Sequence, residues 1–144
     1  MNEINKKTFK VTRFDPDQDE EPRTEAYEIP VQDDWKVLDA LNYIKDEVDP
    51  SLSHRWSCRM AVCGSCGMQV NGEPKLTCKT ALSDYEDTVE VAPLANFPII
   101  RDLVVELEGF MEKMKTTKPW IMSAKERAAE EGPTSQSPEE LAAF

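Results

Sequence analysis

Four cysteines lie close together in the middle of the chain, and their spacing constrains its folding more than any other feature. They follow the pattern Cys58-x4-Cys63-x2-Cys66-x11-Cys78 in a sequence of 144 residues. The beginning of the chain lacks the apolar core of a secretory signal, which predicts a reducing cytoplasmic compartment. Clustered cysteines in that setting are more often metal ligands than disulfides. We therefore expect the loop that carries them to wrap around an inorganic group.

Three kinds of cysteine site compete for this spacing. A structural zinc site pairs two short knuckles, and here only Cys63 and Cys66 form one. Disulfides are disfavoured by the predicted compartment. The C-x4-C-x2-C run followed by a distant cysteine is the plant-type [2Fe–2S] spacing, so all four cysteines are predicted ligands. A Rieske-type cluster needs two histidines, and His54 is the single histidine. We expect His54 in a loop or an interface.

The charge around the cysteines differs from that of the whole chain. Residues 51–80 hold four basic residues and one acid, whereas the chain carries a net charge of −11. A positive loop would stabilise an anionic cluster and raise its reduction potential. Arg59 is the predicted source of this effect, while Lys75 and Lys79 equally fit a solvated or partner-facing rim. The acidic balance of the remainder disfavours nucleic-acid binding.

The glycines between the cysteines form part of the same prediction. Gly64 and Gly67 tolerate unusual backbone dihedrals and could let backbone N–H groups point at the sulfides. The alternative interpretation is that they only shape a turn. Arg59, Gly64, Ser65 and Gly67 are therefore the candidate neighbours of the cluster.

Apolar periodicity up to residue 97 predicts a small sheet packed on one helix, which is an α+β arrangement. A helix is predicted from near Trp35, capped by Asp33 or Asp34 and ended by Pro50. Asn71-Gly72 is a strong hairpin signal. The predicted strands are 8–14, 24–29 and 88–91, and the predicted hairpin is 67–78; an acidic loop, 15–22, separates the first two strands.

The sequence changes character after Pro98. Its apolar residues recur at helical spacing and predict one amphipathic helix; they are Ile100, Leu103, Val104, Leu107, Phe110, Met111 and Met114. Residues 123–144 predict a weak helix followed by an extended tail. The predicted organisation is one domain over 1–97 and the beginning of a helical region over 98–144.

The cysteine block RWSCRMAVCGSCGMQVNGEPKLTC at 55–78 resembles the iron–sulfur subunit of succinate dehydrogenase and fumarate reductase. The bacterial quinol:fumarate reductase subunit is the most similar within that family. The supporting stretches are LDALNYIKDEVDPSLSHRWSC at 38–58, KLTCKTALSDY at 75–85 and LANFPIIRDLVV at 94–105. The resemblance implies a β-grasp, ferredoxin-like domain that binds a [2Fe–2S] cluster through Cys58, Cys63, Cys66 and Cys78.

The same resemblance implies the functional context. The family transfers electrons between quinone and a flavin that reduces fumarate or oxidises succinate. It implies [4Fe–4S] and [3Fe–4S] clusters in a C-terminal half outside these 144 residues. The implied partners are an FAD-bearing flavoprotein subunit and membrane anchor subunits, on the cytoplasmic side of the bacterial inner membrane. No catalytic substrate site is expected in this chain. A free-standing [2Fe–2S] ferredoxin and a zinc-stabilised interaction module remain as alternatives.

Overall fold

The computed structural model describes residues 5–120 and 137–142. The chain divides into two compact units, Met1–Gly109 and Phe110–Phe144. The predicted domain boundary after residue 97 falls inside the first unit. The strands are β1 (Lys6–Arg13), β2 (Arg23–Pro30), β3 (Gly67–Val70), β4 (Glu73–Leu76), β5 (Thr88–Ala92), β6 (Ile99–Arg101) and β7 (Val104–Val105); the α-helices are α1 (Val37–Tyr43), α2 (Glu108–Thr116) and α3 (Pro138–Leu141).

Five of the strands form a mixed sheet in the order β2-β1-β5-β3-β4. The central strands β1 and β5 run parallel, and every other neighbouring pair is antiparallel. Alternate residues of β1 and β5, such as Phe9, Val11 and Val89, are fully or almost fully buried, as the period-2 pattern predicts. Helix α1 covers this apolar face through residues such as Leu41. The arrangement is the predicted α+β, β-grasp fold.

Helix α1 begins later than the sequence predicts, and a different acid caps it. The helix starts at Val37. The Asp39 carboxylate accepts the Lys36 N–H at 2.9 Å and so satisfies a backbone donor that the helix leaves unpaired. The predicted caps, Asp33 and Asp34, lie before this point. The chain continues from α1 into a π-helical turn over Ile44–Val48, and the helical segment ends before Pro50 as predicted.

The hairpin between β3 and β4 is confirmed. Asn71 and Gly72 both have positive φ, at 48° and 82°, as a type I′ turn requires. The Asn71 side-chain oxygen also accepts the Glu90 N–H at 2.7 Å, which joins this turn to β5. The turn places Cys78 just after β4, facing the loop that carries the other cysteines.

The prediction of a helix directly after Pro98 is wrong for the first half of that segment. Residues 99–105 instead form a short antiparallel hairpin, β6–β7. Its turn contains Asp102 with φ of 48°, which interrupts any helix, and Leu103 is buried in the main core. Apolar spacing of three and four residues cannot distinguish a short hairpin from a helix, so the buried contacts decide. The second half of the predicted stripe is helical, in α2.

Helix α2 carries Phe110, Met111 and Met114, as the stripe predicts. The predicted helix and tail over 123–144 lie mostly outside the described residues. Among the described residues, no helix is long and apolar enough to span a membrane.

Candidate metal centre

Three of the four cysteines lie in a long segment without regular secondary structure. This segment runs from the end of the π-helical turn to β3, and Cys78 follows β4. All four cysteines are free thiols; Cys66 and Cys78 are buried, Cys58 is half-buried and Cys63 is exposed. One side of the site therefore faces the core and the other faces solvent.

The sulfur of Cys58 is surrounded by backbone donors. The N–H groups of Met60, Val62 and Cys63 each point at Cys58 Sγ, with N···S distances of 3.4 Å. The Ser65 N–H donates to Cys63 Sγ at 3.5 Å. Such donors stabilise a sulfur that carries negative charge, as a metal-bound thiolate does. The loop is therefore shaped to hold anionic sulfur.

Left-handed backbone conformations make this loop possible. Gly64 has φ of 74°, as predicted, but the non-glycine residues Arg59 and Ala61 also have positive φ, at 56° and 60°. Gly67 does not share this conformation. A Cβ at Gly67 would lie 3.2 Å from the Gly64 carbonyl oxygen, so this glycine permits a close backbone approach instead.

Cys66 and Cys78 form the buried side of the site. They pack in one small apolar cluster with Leu38 from α1, and Ala61 lies against it. The Thr77 hydroxyl and N–H both donate to the Cys66 carbonyl, at 2.9 and 3.2 Å. The Leu38 N–H donates to the Thr77 carbonyl at 3.1 Å. These bonds tie the beginning of α1, the Cys78 segment and the end of the cysteine loop together.

The thiols on the two sides differ in acidity. Hydrogen bonds from the backbone of Cys58 and from Ser65 lower the pKa of the Cys63 thiol to about 6. Burial and the neighbouring Cys66 raise the pKa of the Cys78 thiol. A thiol that ionises near neutral pH is a ready metal ligand, because the thiolate is the form that binds. Cys63 is thus prepared for ligation even before a metal ion is bound.

The four sulfurs are arranged in two pairs. Cys58 and Cys63 share the exposed part of the loop, and Cys66 and Cys78 share the buried cluster. A tetrahedral zinc site needs four ligands on one point, whereas a two-iron cluster takes two thiolates per iron. The donor set fits a [2Fe–2S] cluster better than zinc.

The basic residues predicted to affect the cluster differ in their surroundings. The Arg59 guanidinium lies 4.6 Å from the Trp56 ring centroid and 3.8 Å from an Asp39 carboxylate oxygen. Arg59 and Lys79 border one shallow groove beside Cys78. Lys75 is engaged with Glu73 at 2.9 Å instead. The sequence did not indicate the Trp56 contact, which holds the Arg59 side chain against the cysteine loop.

A buried ion pair at the base of the loop was also not predicted. Arg13 and Asp102 are 4% and 3% exposed, and Arg13 Nε donates to Asp102 Oδ1 at 2.9 Å. A signal was available in the sequence, because Arg13 has the same strand parity as the buried Phe9 and Val11. A charge on the buried face of a strand requires a buried partner.

Comparison with known proteins decides the family. A family model described as the 2Fe-2S iron-sulfur cluster binding domain matches residues 8–112. The chain belongs to this family. The predicted cofactor, a [2Fe–2S] cluster, is thereby confirmed.

The most informative relatives of this [2Fe–2S] protein are iron-sulfur subunits of fumarate reductase and succinate dehydrogenase, which confirms the predicted resemblance. It is 50% identical over 137 residues to the fumarate reductase iron-sulfur subunit of Mycobacterium tuberculosis, covering 94% of this chain and 56% of the relative. It is 55% identical over 112 residues to the fumarate reductase iron-sulfur subunit of Haemophilus influenzae, covering 78% of this chain and 44% of the relative. The succinate dehydrogenase iron-sulfur subunit of Coxiella burnetii is 40% identical over 137 residues, and the match covers 94% of this chain and 57% of the relative.

A solved structure agrees with these relatives. A chain of the Mycobacterium smegmatis Sdh1 complex in the apo form matches with a TM-score of 0.80 and 30% identity. The match covers 93% of this chain and 55% of that chain. The [2Fe–2S] protein thus spans about half the length of the relatives it matches.

Proposed function

We propose that the four cysteines Cys58, Cys63, Cys66 and Cys78 bind the [2Fe–2S] cluster. The paired arrangement supports Cys58 and Cys63 as ligands of one iron and Cys66 and Cys78 as ligands of the other. The observation that carries this proposal is the set of backbone N–H groups directed at the sulfurs of Cys58 and Cys63. When bound, the cluster accepts and releases one electron at a time. The chain holds the sulfurs in place and supplies donors that offset the negative charge.

We further propose that the protein is the electron-transfer subunit of a fumarate reductase. The identity to fumarate reductase subunits, 48–55% over most of the chain, exceeds the 40% to succinate dehydrogenase subunits. Its role would be to carry electrons between quinone-side clusters and the FAD of a catalytic flavoprotein subunit. In this proposal the [4Fe–4S] and [3Fe–4S] clusters belong to the part of the subunit that corresponds to the unmatched length of the relatives.

The surface beside the exposed cysteines suits a protein partner. Trp56, Met60 and Val62 are large apolar side chains that are 45%, 64% and 77% exposed. Exposed aromatic and Met residues are enriched at protein interfaces, and here they lie in the same loop as the exposed Cys63. Electron transfer needs a short path, so the flavoprotein would cover this side. The membrane anchor subunits would hold the complex at the cytoplasmic side of the inner membrane.

The ligand assignment is tested by iron and acid-labile sulfide analysis of the purified chain. Replacement of Cys58, Cys63 or Cys78 by Ser should abolish or strongly perturb the cluster, whereas Ser57→Ala, next to Cys58, should retain it. Cys66→Asp should retain a modified cluster, because a carboxylate can also ligate iron. A folded parent that contains stoichiometric zinc and no sulfide would overturn the assignment.

The subunit assignment is tested by co-expression with a flavoprotein subunit from the same source. We expect the two chains to co-purify and the flavoprotein to stabilise the reduced cluster signal. Trp56→Ser with Val62→Ser should weaken co-purification without loss of the cluster. A chain that stays monomeric and exchanges electrons freely with small acceptors would favour the free-standing ferredoxin instead.

A further inference from the structure

The buried carboxylate of Asp102 connects three parts of the first compact unit. Its Oδ1 accepts hydrogen bonds from Arg13 Nε and from the Phe14 N–H, each at 2.9 Å. Its Oδ2 accepts the Ser53 N–H at 2.8 Å. Asp102 therefore joins the end of β1 and the β6–β7 turn to the segment that leads into Cys58.

The same segment is held on both sides of Ser53. The Leu103 N–H donates to the Ser53 carbonyl at 3.2 Å, and the Arg55 guanidinium donates to the Val105 carbonyl at 3.2 Å. The Arg13 guanidinium also donates to Ser51 Oγ at 2.7 Å. Residues 52–58 have no regular secondary structure. Their position therefore depends on such side-chain and turn contacts, together with the buried Leu52 side chain and the His54–Asn42 hydrogen bond, and on no strand ladder.

The conformation of Asp102 is itself unusual. Its φ of 48° lies in the left-handed region, which a non-glycine residue adopts when its surroundings compensate the strain. The compensation is visible, because the Asp102 N–H donates to the Phe14 carbonyl at 2.9 Å while the carboxylate accepts three donors. Leu103, the next residue, is buried in the core. The turn is thus locked in one geometry that presents the carboxylate to Ser53.

We propose that Asp102, with Arg13, is a positioning residue for the iron–sulfur cluster. It fixes the segment 51–57, and through it the direction in which Cys58 enters the cysteine loop. This inference rests on the proposed function, because it takes Cys58 as a cluster ligand. Asp102 does not touch the ligands and acts only through the backbone that leads to them.

Loss of the Asp102 carboxylate has a physical consequence at Cys58 Sγ. Asparagine in place of Asp102 keeps one acceptor oxygen for Arg13 Nε and the Phe14 N–H, and it turns a donor toward the Ser53 N–H. The Arg13 guanidinium keeps its other partners, Glu25, Tyr27, Asp49 and Ser51, but loses the buried charge beside Nε. The segment before Cys58 then gains freedom, and the N–H groups directed at Cys58 Sγ lose their alignment. Hydrogen bonds to the sulfurs set the electronic properties of a cluster, so its spectrum should report the change.

The test compares Asp102→Asn with Lys7→Met in the cluster-loaded chain. Asparagine tolerates the left-handed conformation and keeps the size of the side chain, so the substitution removes the charge and turns one acceptor into a donor. Lys7 is the matched control, because its buried ammonium donates to the carbonyls of Tyr85 and Glu86, at 2.6 and 2.8 Å, near the other end of β1. Each variant is measured by EPR of the reduced cluster, by the rate of iron loss to a chelator and by urea unfolding.

We expect Asp102→Asn to shift or broaden the EPR signal and to accelerate iron loss by about tenfold, because the Ser53 N–H loses its buried acceptor. Lys7→Met should keep the parent EPR signal even if its urea midpoint falls equally. Identical EPR signals in the parent and Asp102→Asn, or the same change in Lys7→Met, would overturn the positioning role.

A second variant covers the case in which Asp102→Asn does not fold. Ser51→Ala removes only the hydroxyl between Arg13 and Asp49. It should change the EPR signal in the same direction by a smaller amount, and a signal identical to that of the parent would overturn the proposal. A parent chain that binds no iron would instead refute the cluster assignment itself, which separates the two failures.

Discussion

The single histidine provides a sharp test of the structure, because its protonation state follows from its surroundings. His54 Nε2 lies 2.9 Å from the Asn42 side-chain oxygen and therefore carries the hydrogen. The other ring nitrogen, Nδ1, is buried and has no hydrogen-bond partner among the described residues. Protonation would place a charge and an unpaired N–H at Nδ1. Burial and the nearby Lys45 thus lower the pKa of His54 to about 4.

The magnitude follows from the difference between the folded and unfolded pKa values. An unfolded histidine titrates near 6.5, so between pH 6.5 and 4 the unfolded state binds more protons than the folded state. The free energy of unfolding should therefore fall as the pH falls through this range and stay constant above it. The full shift corresponds to about 3 kcal/mol, which partial solvent exposure reduces to about 1–2 kcal/mol.

The assay is NMR of the chain with ¹³C-labelled histidine, in which His54 gives the only signal. We expect the Cε1–H shift of the folded protein to stay constant from pH 8 to pH 5.5. In urea the same signal should titrate near 6.5. Asn42→Asp places a carboxylate against Nε2 and should raise the pKa by about 1–3 units. A folded midpoint at or above pH 6 in the parent would refute the reasoning.

Three further changes test the packing and the loop. Leu103→Ala should cost about 2–5 kcal/mol of unfolding free energy, because Leu103 is 3% exposed. Leu107→Ala, at a position that is 37% exposed, should cost less than about 0.5 kcal/mol. Equal losses would mean that Leu103 lies on a surface helix and not in the core. Gly67→Ala should destabilise the protein by about 1–3 kcal/mol, because the added Cβ would lie 3.2 Å from the Gly64 carbonyl oxygen. Gly109→Ala should not destabilise it, because its added Cβ meets only a side-chain atom at 3.7 Å. Urea unfolding compares the two variants. Arg59→Glu should lower the midpoint potential of the cluster, and Arg59→Gln should lower it less, in an EPR-monitored redox titration; an unchanged potential would remove Arg59 from the tuning role.

Much of the fold was predictable because its signals are local. The alternating residues of β1 and β2 specify strands over a few positions, and Asn71-Gly72 requires positive φ whatever surrounds it. The cysteine spacing is similarly informative, since ligand geometry limits how far apart the thiols can lie along the chain. These features need no knowledge of distant residues.

Other parts of the site depend on residues that are far apart in the sequence. Arg13 and Asp102 are separated by 89 positions, and only the tertiary structure shows that they meet under the cysteine loop. The tertiary structure also determines which thiol is buried, which nitrogen of His54 is unpaired and how Trp56 holds Arg59. Each of these depends on the solvent exposure of a group, which the sequence pattern does not contain.

The segment after Pro98 shows most clearly what the sequence determines and what the tertiary structure decides. Its apolar residues fit a helix face by spacing alone, so the sequence predicted one helix. The prediction holds for Phe110, Met111 and Met114 in α2, whereas Ile100, Leu103 and Val104 lie in the β6–β7 hairpin. The tertiary structure decided between these outcomes residue by residue. Burial of Leu103 in the β-grasp core stabilises the folded state more than its exposure on a helix surface would. The buried charge of Arg13 is stabilised by the Asp102 carboxylate beside it. Burial and charge pairing over long sequence distances therefore override the local preference for a helix.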